Sequence, residues 1–139
     1  MNTIDFMYAQ FKAHGYRVTP QRRAILQVLD AERCHPTAEQ IYAQVKLAMP
    51  DMSPATVYNT VRELVKMGVL LELDLGTGER HYDVCTSPHA HLLCVQCGRI
   101  EDVFLDSYAT LSPEQSQGFQ VLDTRITFRG HCPDCALSN

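Results

Sequence analysis

The sequence lacks the features that direct a chain into or across a membrane. No apolar run approaches the roughly 20 residues of a membrane-spanning helix. The opening residues, Met-Asn-Thr-Ile-Asp-Phe, have neither the basic start nor the apolar core of a secretory signal. Repeats and low-complexity segments are also missing. Since the cysteines are arranged for metal binding, as shown below, these absences predict a cytoplasmic protein without a membrane partner.

Positive charge is also scarce overall, because the 139 residues carry a net charge of −4 at pH 7. Residues 1–82 contain nine Lys or Arg and nine Asp or Glu, whereas residues 83–139 contain three and seven. Any nucleic-acid binding therefore belongs to the first part, where basic residues can gather on one face. The length allows one ordinary domain or two small ones, and an apolar content of 45% is sufficient for hydrophobic cores.

Four of the six cysteines form two CxxC pairs separated by thirty-four residues, Cys94-Val-Gln-Cys97 and Cys132-Pro-Asp-Cys135. Each pair can present two thiolates to one ion, and two pairs complete a closed tetrahedral zinc site. Such a site has no open coordination position, so its zinc stabilises the fold and performs no reaction. Disulfides or a redox-active pair are the alternatives for the same cysteines.

Helix signals follow one another along the first part of the chain. Apolar residues at helical spacing over residues 4–11 predict an opening helix. Thr19-Pro20 and Ser53-Pro54 each combine an N-cap with a proline in the first turn, and Thr37 caps a helix between them. The sequence therefore predicts a run of short helices that ends near Gly68.

After that point the spacing changes to that of strands. Residues 69–75 and 80–84, separated by a Gly-Thr-Gly turn, predict a β-hairpin. Helices followed by a hairpin predict a winged helix-turn-helix DNA-binding domain over residues 1–83. Its recognition helix is the one that starts after Ser53-Pro54, and the hairpin is its wing.

Residues 84–139 have a different pattern. Segments 91–95, 100–105 and 119–128 alternate as strands do, and Ser112-Pro113 starts a short helix. A unit of this size holds little core, so its stability depends on zinc. The fold class is therefore α+β, with a winged helix-turn-helix followed by a small α/β domain that contains the structural zinc site.

The predicted recognition helix has a polar face opposite its apolar one. That face is formed by Thr56, Tyr58, Asn59 and Arg62. Asn can read adenine, Arg can bind guanine or phosphate, and Tyr can contact a thymine methyl group or a phosphate. Arg17, Arg22 and Arg23 precede or open the second helix, where phosphate contacts are plausible. A solvated polar face is the alternative for these residues.

A second group of metal-ligand residues surrounds the first CxxC pair. His89-Ala-His91 places two imidazoles on one side of an extended segment. Asp83, Asp102 and His35 can add a further imidazole and two carboxylates. Such nitrogen and oxygen ligands suit Fe²⁺, Mn²⁺ or Zn²⁺. Each of these residues alone is more often an ordinary polar group, and the HxH beside a zinc knuckle is what favours a site.

Several motifs together resemble those of the ferric-uptake-regulator (Fur) family. They are Arg17-x-Thr19-x-Gln21-Arg22, His35-Pro36-Thr37-Ala38, Ala55-Thr56-Val57-Tyr58-Asn59, Arg80-His81-Tyr82-Asp83, His89-x-His91-x-x-Cys94-x-x-Cys97-Gly98 and Gly130-His131-Cys132. The match spans nearly the whole chain in the family's order. Within the family, Tyr58-Asn59 and Asp102 resemble the peroxide-sensing branch, the PerR repressors.

The resemblance implies a homodimeric, metal-activated repressor of operator DNA, with residues 84–139 as the metal-binding dimerisation domain. In the peroxide-sensing branch, His35, Asp83, His89, His91 and Asp102 correspond to the ligands of a regulatory metal. Ferrous iron at that site reacts with hydrogen peroxide and a ligand histidine is oxidised, which by position is His35 or His89. Manganese activates DNA binding without that reaction. The resemblance therefore implies Zn²⁺ as structural metal and Fe²⁺ or Mn²⁺ as regulatory metal.

Two other functions stay open at this point. The protein could respond to iron, manganese or zinc itself without sensing peroxide, or it could be a non-haem iron enzyme. The absence of an evident substrate pocket and the polar helix argue against an enzyme. Cys85, close to Asp83, could bind metal or sense oxidants. Cys34, adjacent to His35, could do the same, but a buried small apolar residue is the favoured interpretation. His14, His81 and His131 are assigned no role and are expected to contact solvent or the backbone.

Overall fold

The computed structural model describes residues 3–31 and 35–137. The chain divides into two compact units, Met1–Thr86 and Ser87–Asn139. The first is built from helices followed by a β-hairpin, and the second from a small sheet with short helices. This architecture confirms the predicted α+β class. Within the described ranges, no helix combines the length and the apolar character that crossing a membrane requires.

The helices of the first unit begin where the capping signals predict. They are α1 (Thr3–Ala13), α2 (Pro20–Ala31), α3 (Ala38–Ala48) and α4 (Pro54–Lys66). The Thr37 hydroxyl accepts from the backbone of Gln40, whose side chain accepts in return from the backbone of Thr37. The Ser53 hydroxyl caps α4 by accepting from the Thr56 N–H at 3.2 Å. Each such cap contributes about 1 kcal/mol to helix stability.

One hydrophobic core joins these helices. Phe11, Leu26 and Ile41 are fully buried in it, as are Val57 and Leu64 from α4. Burying each such side chain contributes about 1.5–3 kcal/mol. Because the apolar residues of α4 face this core, its opposite side is held toward solvent.

The hairpin of the first unit is formed by β1 (Leu71–Asp74) and β2 (Arg80–Asp83). The strands pair antiparallel, with Leu71 opposite Asp83 and Asp74 opposite Arg80. Gly76 and Gly78 in the turn have φ values of 80° and 88°, a region that glycine adopts without a Cβ penalty. The chain therefore reverses direction at the glycines that predicted the turn.

The sheet of the second unit has β3 at its centre. β3 (Ala90–Cys94) pairs antiparallel with β4 (Ile100–Val103) and parallel with β5 (Thr127–Gly130). The short helices α5 (Pro113–Ser116) and α6 (Pro133–Leu137) flank β5 in the sequence. As predicted, a helix begins after Ser112, whose hydroxyl caps it.

The strand predicted over residues 119–128 is largely wrong, because β5 covers only Thr127–Gly130. Phe119 and Leu122 lie outside it, with exposed fractions of 80% and 88%. Alternation of side chains predicts an extended backbone, but a strand also needs a neighbour to bond with. β3 provides that neighbour only from the point where the His91 N–H donates to the Ile126 carbonyl.

Candidate metal centres and nucleic-acid interface

The four paired cysteines of the second unit meet at one point. Their sulfur atoms all lie within 4.8 Å of one another, and Cys97 Sγ is 3.8 Å from Cys132 Sγ. Sulfur ligands about 2.3 Å from a tetrahedral zinc ion lie about 3.8 Å apart. None of the cysteines within the described ranges forms a disulfide. The donor set and its spacing therefore fit a structural zinc ion.

Backbone amides favour the thiolate form of one cysteine in this cluster. N–H groups of Cys132 and Cys97 lower the pKa of the Cys94 thiol to about 5, because they stabilise its thiolate. The pKa of Cys135 is raised to about 12, chiefly by its hydrogen bond to the Cys132 sulfur. The first knuckle turns back through Gly98, which has a φ of 82° and donates to the Cys94 carbonyl. The turn thus supplies both the shape and part of the thiolate stabilisation.

A histidine–aspartate cluster lies on the same sheet. His91 on β3 is directly opposite Asp102 on β4, and His89 lies just before β3. Asp102 Oδ1 is 3.0 Å from His89 Nε2 and 3.3 Å from His91 Nε2. Two ligands at right angles around an ion about 2.1 Å away lie about 3 Å apart. The cluster consequently has the spacing of a site for a cation that prefers nitrogen and oxygen.

The orientation of His89 supports this interpretation. Its Nδ1 donates to the Ser87 carbonyl at 2.7 Å, which directs Nε2 toward Asp102. In metal sites the ring nitrogen that does not bind the ion is commonly held by a carbonyl or carboxylate in this way. Both histidines of the cluster are buried. A cation between Nε2 and the Asp102 carboxylate would satisfy both groups.

A histidine–aspartate pair lies in the first unit. His35 Nε2 is 3.3 Å from Asp83 Oδ2, and both side chains are buried. His35 has a φ of 56°, a left-handed conformation that costs a residue with a Cβ about 1–2 kcal/mol. Non-glycine residues held in such conformations cluster at functional sites. Asp83 Oδ1 accepts from the Cys85 N–H at 2.9 Å, so the other carboxylate oxygen faces His35.

Two cysteines, Cys85 and Cys34, lie outside the zinc cluster in the sequence, and the structure describes only the first. Cys85 is half-buried and contacts Asp83 through its backbone N–H. Cys34 lies outside the described residues.

His81 makes a backbone contact, as expected for it, but the sequence did not show that its partner would be His35. This residue is buried on β2, and its Nδ1 donates to the His35 carbonyl at 2.9 Å. Alternation along a strand places His81 on the same side as Asp83, two residues later. That spacing could have predicted a role beside the candidate ligand Asp83.

The candidate DNA-contacting residues of α4 lie on its solvent side. Tyr58, Asn59 and Arg62 are exposed, whereas Val57 and Leu64 are buried. Thr56 is only half-exposed, and its hydroxyl lies 2.8 Å from that of Ser53. Of the candidate residues on this helix, the three exposed ones are thus arranged to reach a ligand in solution.

The arginines around the start of α2 divide into two kinds. Arg17 has an exposed side chain, and Arg23 is exposed with its guanidinium 5.5 Å from the Tyr8 ring centroid. Arg22 lies over the rings of Phe11 and Tyr16, at 5.5 Å and 5.1 Å from their centroids. It also donates to the Arg17 carbonyl and contacts Glu63 on α4. Arg22 therefore braces α4 against α1 and α2.

Comparison with known proteins places these features in one family. The family model described as the ferric uptake regulator family matches residues 13–129. The chain belongs to the ferric uptake regulator family.

Relatives and a solved structure add detail. The chain is 38% identical to the peroxide-responsive repressor PerR of Staphylococcus saprophyticus over 95% of this chain and 90% of that protein. It is 39% identical to the peroxide operon regulator of Bacillus subtilis over 90% of this chain and 88% of that protein. The structure of PerR from Streptococcus pyogenes matches with a TM-score of 0.57 and 28% identity, covering 97% of this chain and 94% of that one.

Proposed function

We propose that this chain is a homodimeric, metal-dependent repressor of operator DNA that senses hydrogen peroxide. The observation that carries the proposal is the shared contact of His89 and His91 with one carboxylate oxygen of Asp102. This arrangement offers nitrogen and oxygen ligands to a regulatory ion, separate from the thiolates that suit zinc. The similarity to peroxide-responsive repressors over nearly the whole chain supports the same function.

The regulatory metal is Fe²⁺ or Mn²⁺ in this proposal. Its candidate ligands, as the resemblance to the family implies, are His35, Asp83, His89, His91 and Asp102. The metal then selects between an arrangement of the repressor that binds DNA and one that does not. Its differential affinity for the arrangement that binds DNA shifts the population toward that arrangement.

DNA binding follows from the exposed side of α4. Tyr58, Asn59 and Arg62 enter the major groove, and Arg17 contacts the phosphate backbone. A homodimer presents these residues twice, so its operator has two related half-sites. Exposed apolar side chains in the second unit, including Phe119, Leu122 and Phe128, provide surface for the second copy.

Peroxide sensing requires a redox-active ion beside residues that can be oxidised. Ferrous iron bound there would supply that chemistry, since it can reduce hydrogen peroxide. His35 and His89 are the expected targets, and both are buried close to a carboxylate. Oxidation converts an imidazole into a poorer ligand, so the site loses metal and the repressor releases DNA. The protein is consumed by its signal, which distinguishes it from an enzyme.

The test is operator binding with defined metals. DNA is selected from a randomised pool with manganese-loaded protein, and affinity is then measured anaerobically for metal-free, manganese-loaded and ferrous protein. Both loaded forms should bind, and about one equivalent of peroxide should release only the ferrous form. Release of the manganese form as well, or DNA binding that needs no metal, would contradict the proposal. Peroxide consumption over many turnovers would instead indicate a non-haem iron enzyme.

A further inference from the structure

His81 lies beside the candidate ligand His35 and connects it to the wing. Its Nδ1 donates to the His35 carbonyl at 2.9 Å, in a buried environment. Two residues later on the same strand, Asp83 contacts the His35 imidazole. One strand, β2, therefore holds both the backbone and the side chain of His35.

The segment that follows His35 is docked along β2. The Tyr82 N–H donates to the Pro36 carbonyl at 2.9 Å, and Thr37 forms a bridge with His81. His35 thus enters this short ladder from a left-handed backbone conformation, with a φ of 56°. Because a residue with a Cβ does not favour that conformation, external contacts must hold it. The hydrogen bond from His81 acts directly on the carbonyl of the residue concerned.

The other ring nitrogen of His81 points into the wing turn. His81 Nε2 lies 3.2 Å from the Thr77 hydroxyl, whose oxygen accepts from the Glu79 N–H at 3.4 Å. The imidazole therefore spans from the tip of the hairpin to the His35 carbonyl. The His81 side chain therefore links the His35 backbone to the wing turn through its two ring nitrogens.

We propose that His81 is a positioning residue for the regulatory metal site, which it joins to the wing turn. Its hydrogen bond keeps the His35 backbone in the conformation from which the imidazole faces Asp83 and the metal. His81 binds no metal itself, and both its ring nitrogens are used by the protein. This inference rests on the proposed function for its regulatory meaning.

The first test uses the wild-type, zinc-loaded chain without regulatory metal. Nitrogen-15 NMR of the histidine rings should show a protonated His81 Nδ1 whose hydrogen exchanges slowly with water. The exposed His14 provides the comparison within the same spectrum, since its ring hydrogen should exchange rapidly. Rapid exchange at His81 Nδ1, or a ring protonated only at Nε2, overturns the proposal without any variant.

The second test compares substitutions that keep or remove the donor. The side-chain amide of His81→Asn can occupy the position of Nδ1, whereas His81→Phe keeps the ring without a donor. Manganese affinity, measured by EPR of the free ion, should fall about tenfold or more for the phenylalanine variant, as for other groups that hold a metal ligand. It should return to near the wild-type value in the asparagine variant. His14→Phe is the matched control and should leave the affinity unchanged.

A third readout separates this inference from the proposed function. In ferrous protein treated with limited peroxide, His81→Phe should lower oxidation at His35 relative to His89. An unchanged ratio, together with equal manganese affinities of the phenylalanine and asparagine variants, overturns the role of His81. If wild-type protein is oxidised at neither histidine, the peroxide function fails while the manganese comparison still tests His81. If the phenylalanine variant does not fold, His81→Gln, whose amide reaches the Nε2 position, replaces it.

Discussion

The ring of Phe104 stacks on the imidazole of His89, with centroids 5.2 Å apart and planes inclined by 29°. The Phe104 side chain is otherwise largely exposed, at 62%. An aromatic pair contributes about 0.5–1.5 kcal/mol beyond the burial of its surface. The stacking therefore assists the Ser87 carbonyl in fixing the plane of His89.

Replacing Phe104 with alanine should weaken manganese binding by about two- to tenfold, which is the same stacking energy expressed as affinity. Free Mn²⁺ measured by EPR gives the affinity of the zinc-loaded chain. Phe104→Tyr keeps the ring and should bind manganese as the wild type does. Equal affinities for the alanine variant and the wild type would show that the stacking does not orient His89.

Arg22 and Arg17 should respond differently to the same truncation. Arg22→Ala removes two ring contacts and the contact with Glu63, so the free energy of unfolding of the first unit should fall by about 1–3 kcal/mol. Arg17→Ala should change that free energy by less than about 0.5 kcal/mol, as at other exposed positions. Denaturant titration followed by the helical circular dichroism signal measures both. An unchanged free energy of unfolding in Arg22→Ala would mean that the contacts of Arg22 with the rings and Glu63 do not stabilise the first unit.

The Arg17→Ala variant also tests how the protein contacts phosphate. If Arg17 neutralises one phosphate, its truncation should lower the slope of log affinity against log salt by about 0.9. Arg125→Ala removes an exposed arginine from the second unit and provides the control. An unaltered salt slope in Arg17→Ala would place this residue away from the DNA.

Truncation of the exposed side of α4 should weaken operator binding while both metals stay bound. Asn59→Ala and Arg62→Ala should each cost about 1–3 kcal/mol of discrimination if they contact bases. Tyr58→Ala should lower affinity through its lost contact with a thymine methyl group or a phosphate. Fluorescence anisotropy on the selected operator, with metal content measured in parallel, is the readout. Native affinity in all three variants would mean that a different surface contacts DNA.

Zinc should be necessary for the dimer. Cys94→Ser and Cys135→Ser should each lose zinc and the stable dimer, because structural zinc supplies on the order of 10 kcal/mol to small metal-dependent folds. Cys85→Ser is the matched control and should keep both. Elemental analysis and light scattering after size-exclusion chromatography measure zinc content and mass. A folded, zinc-free dimer would refute the structural role of the metal.

Much of the fold could be predicted because its signals are local. The caps at Thr37 and Ser53 fix where α3 and α4 begin, and the glycines of the wing turn fix the reversal between β1 and β2. Such signals depend on backbone groups within a few residues. The strand prediction for the segment before β5 was wrong because strand formation depends on a distant partner. Alternation of side chains does not reveal that partner.

The candidate sites were predictable in residue type and not in detail. Cysteine pairs and an HxH motif predict metal ligands, since residues at these spacings can bind the same ion. The positions of Arg22 and His81 were not predictable in this way. From sequence alone, an arginine at a helix start is interpreted as a phosphate ligand. The structure shows instead that the Arg22 guanidinium lies over the rings of Phe11 and Tyr16. The role of His81 depends on a contact with His35, forty-six positions away in the sequence.

In the proposed function, bound ferrous iron causes hydrogen peroxide to oxidise a ligand histidine. Peptide mass mapping of ferrous protein after limited peroxide, beside a manganese-loaded control, detects that oxidation. We expect one added oxygen on the peptide that contains His35 or His89, and none with manganese. Intact histidines in ferrous protein would contradict it and leave a regulator that responds to metal alone. Oxidation confined to Cys34 or Cys85 would contradict it in another way, by identifying a thiol as the sensor.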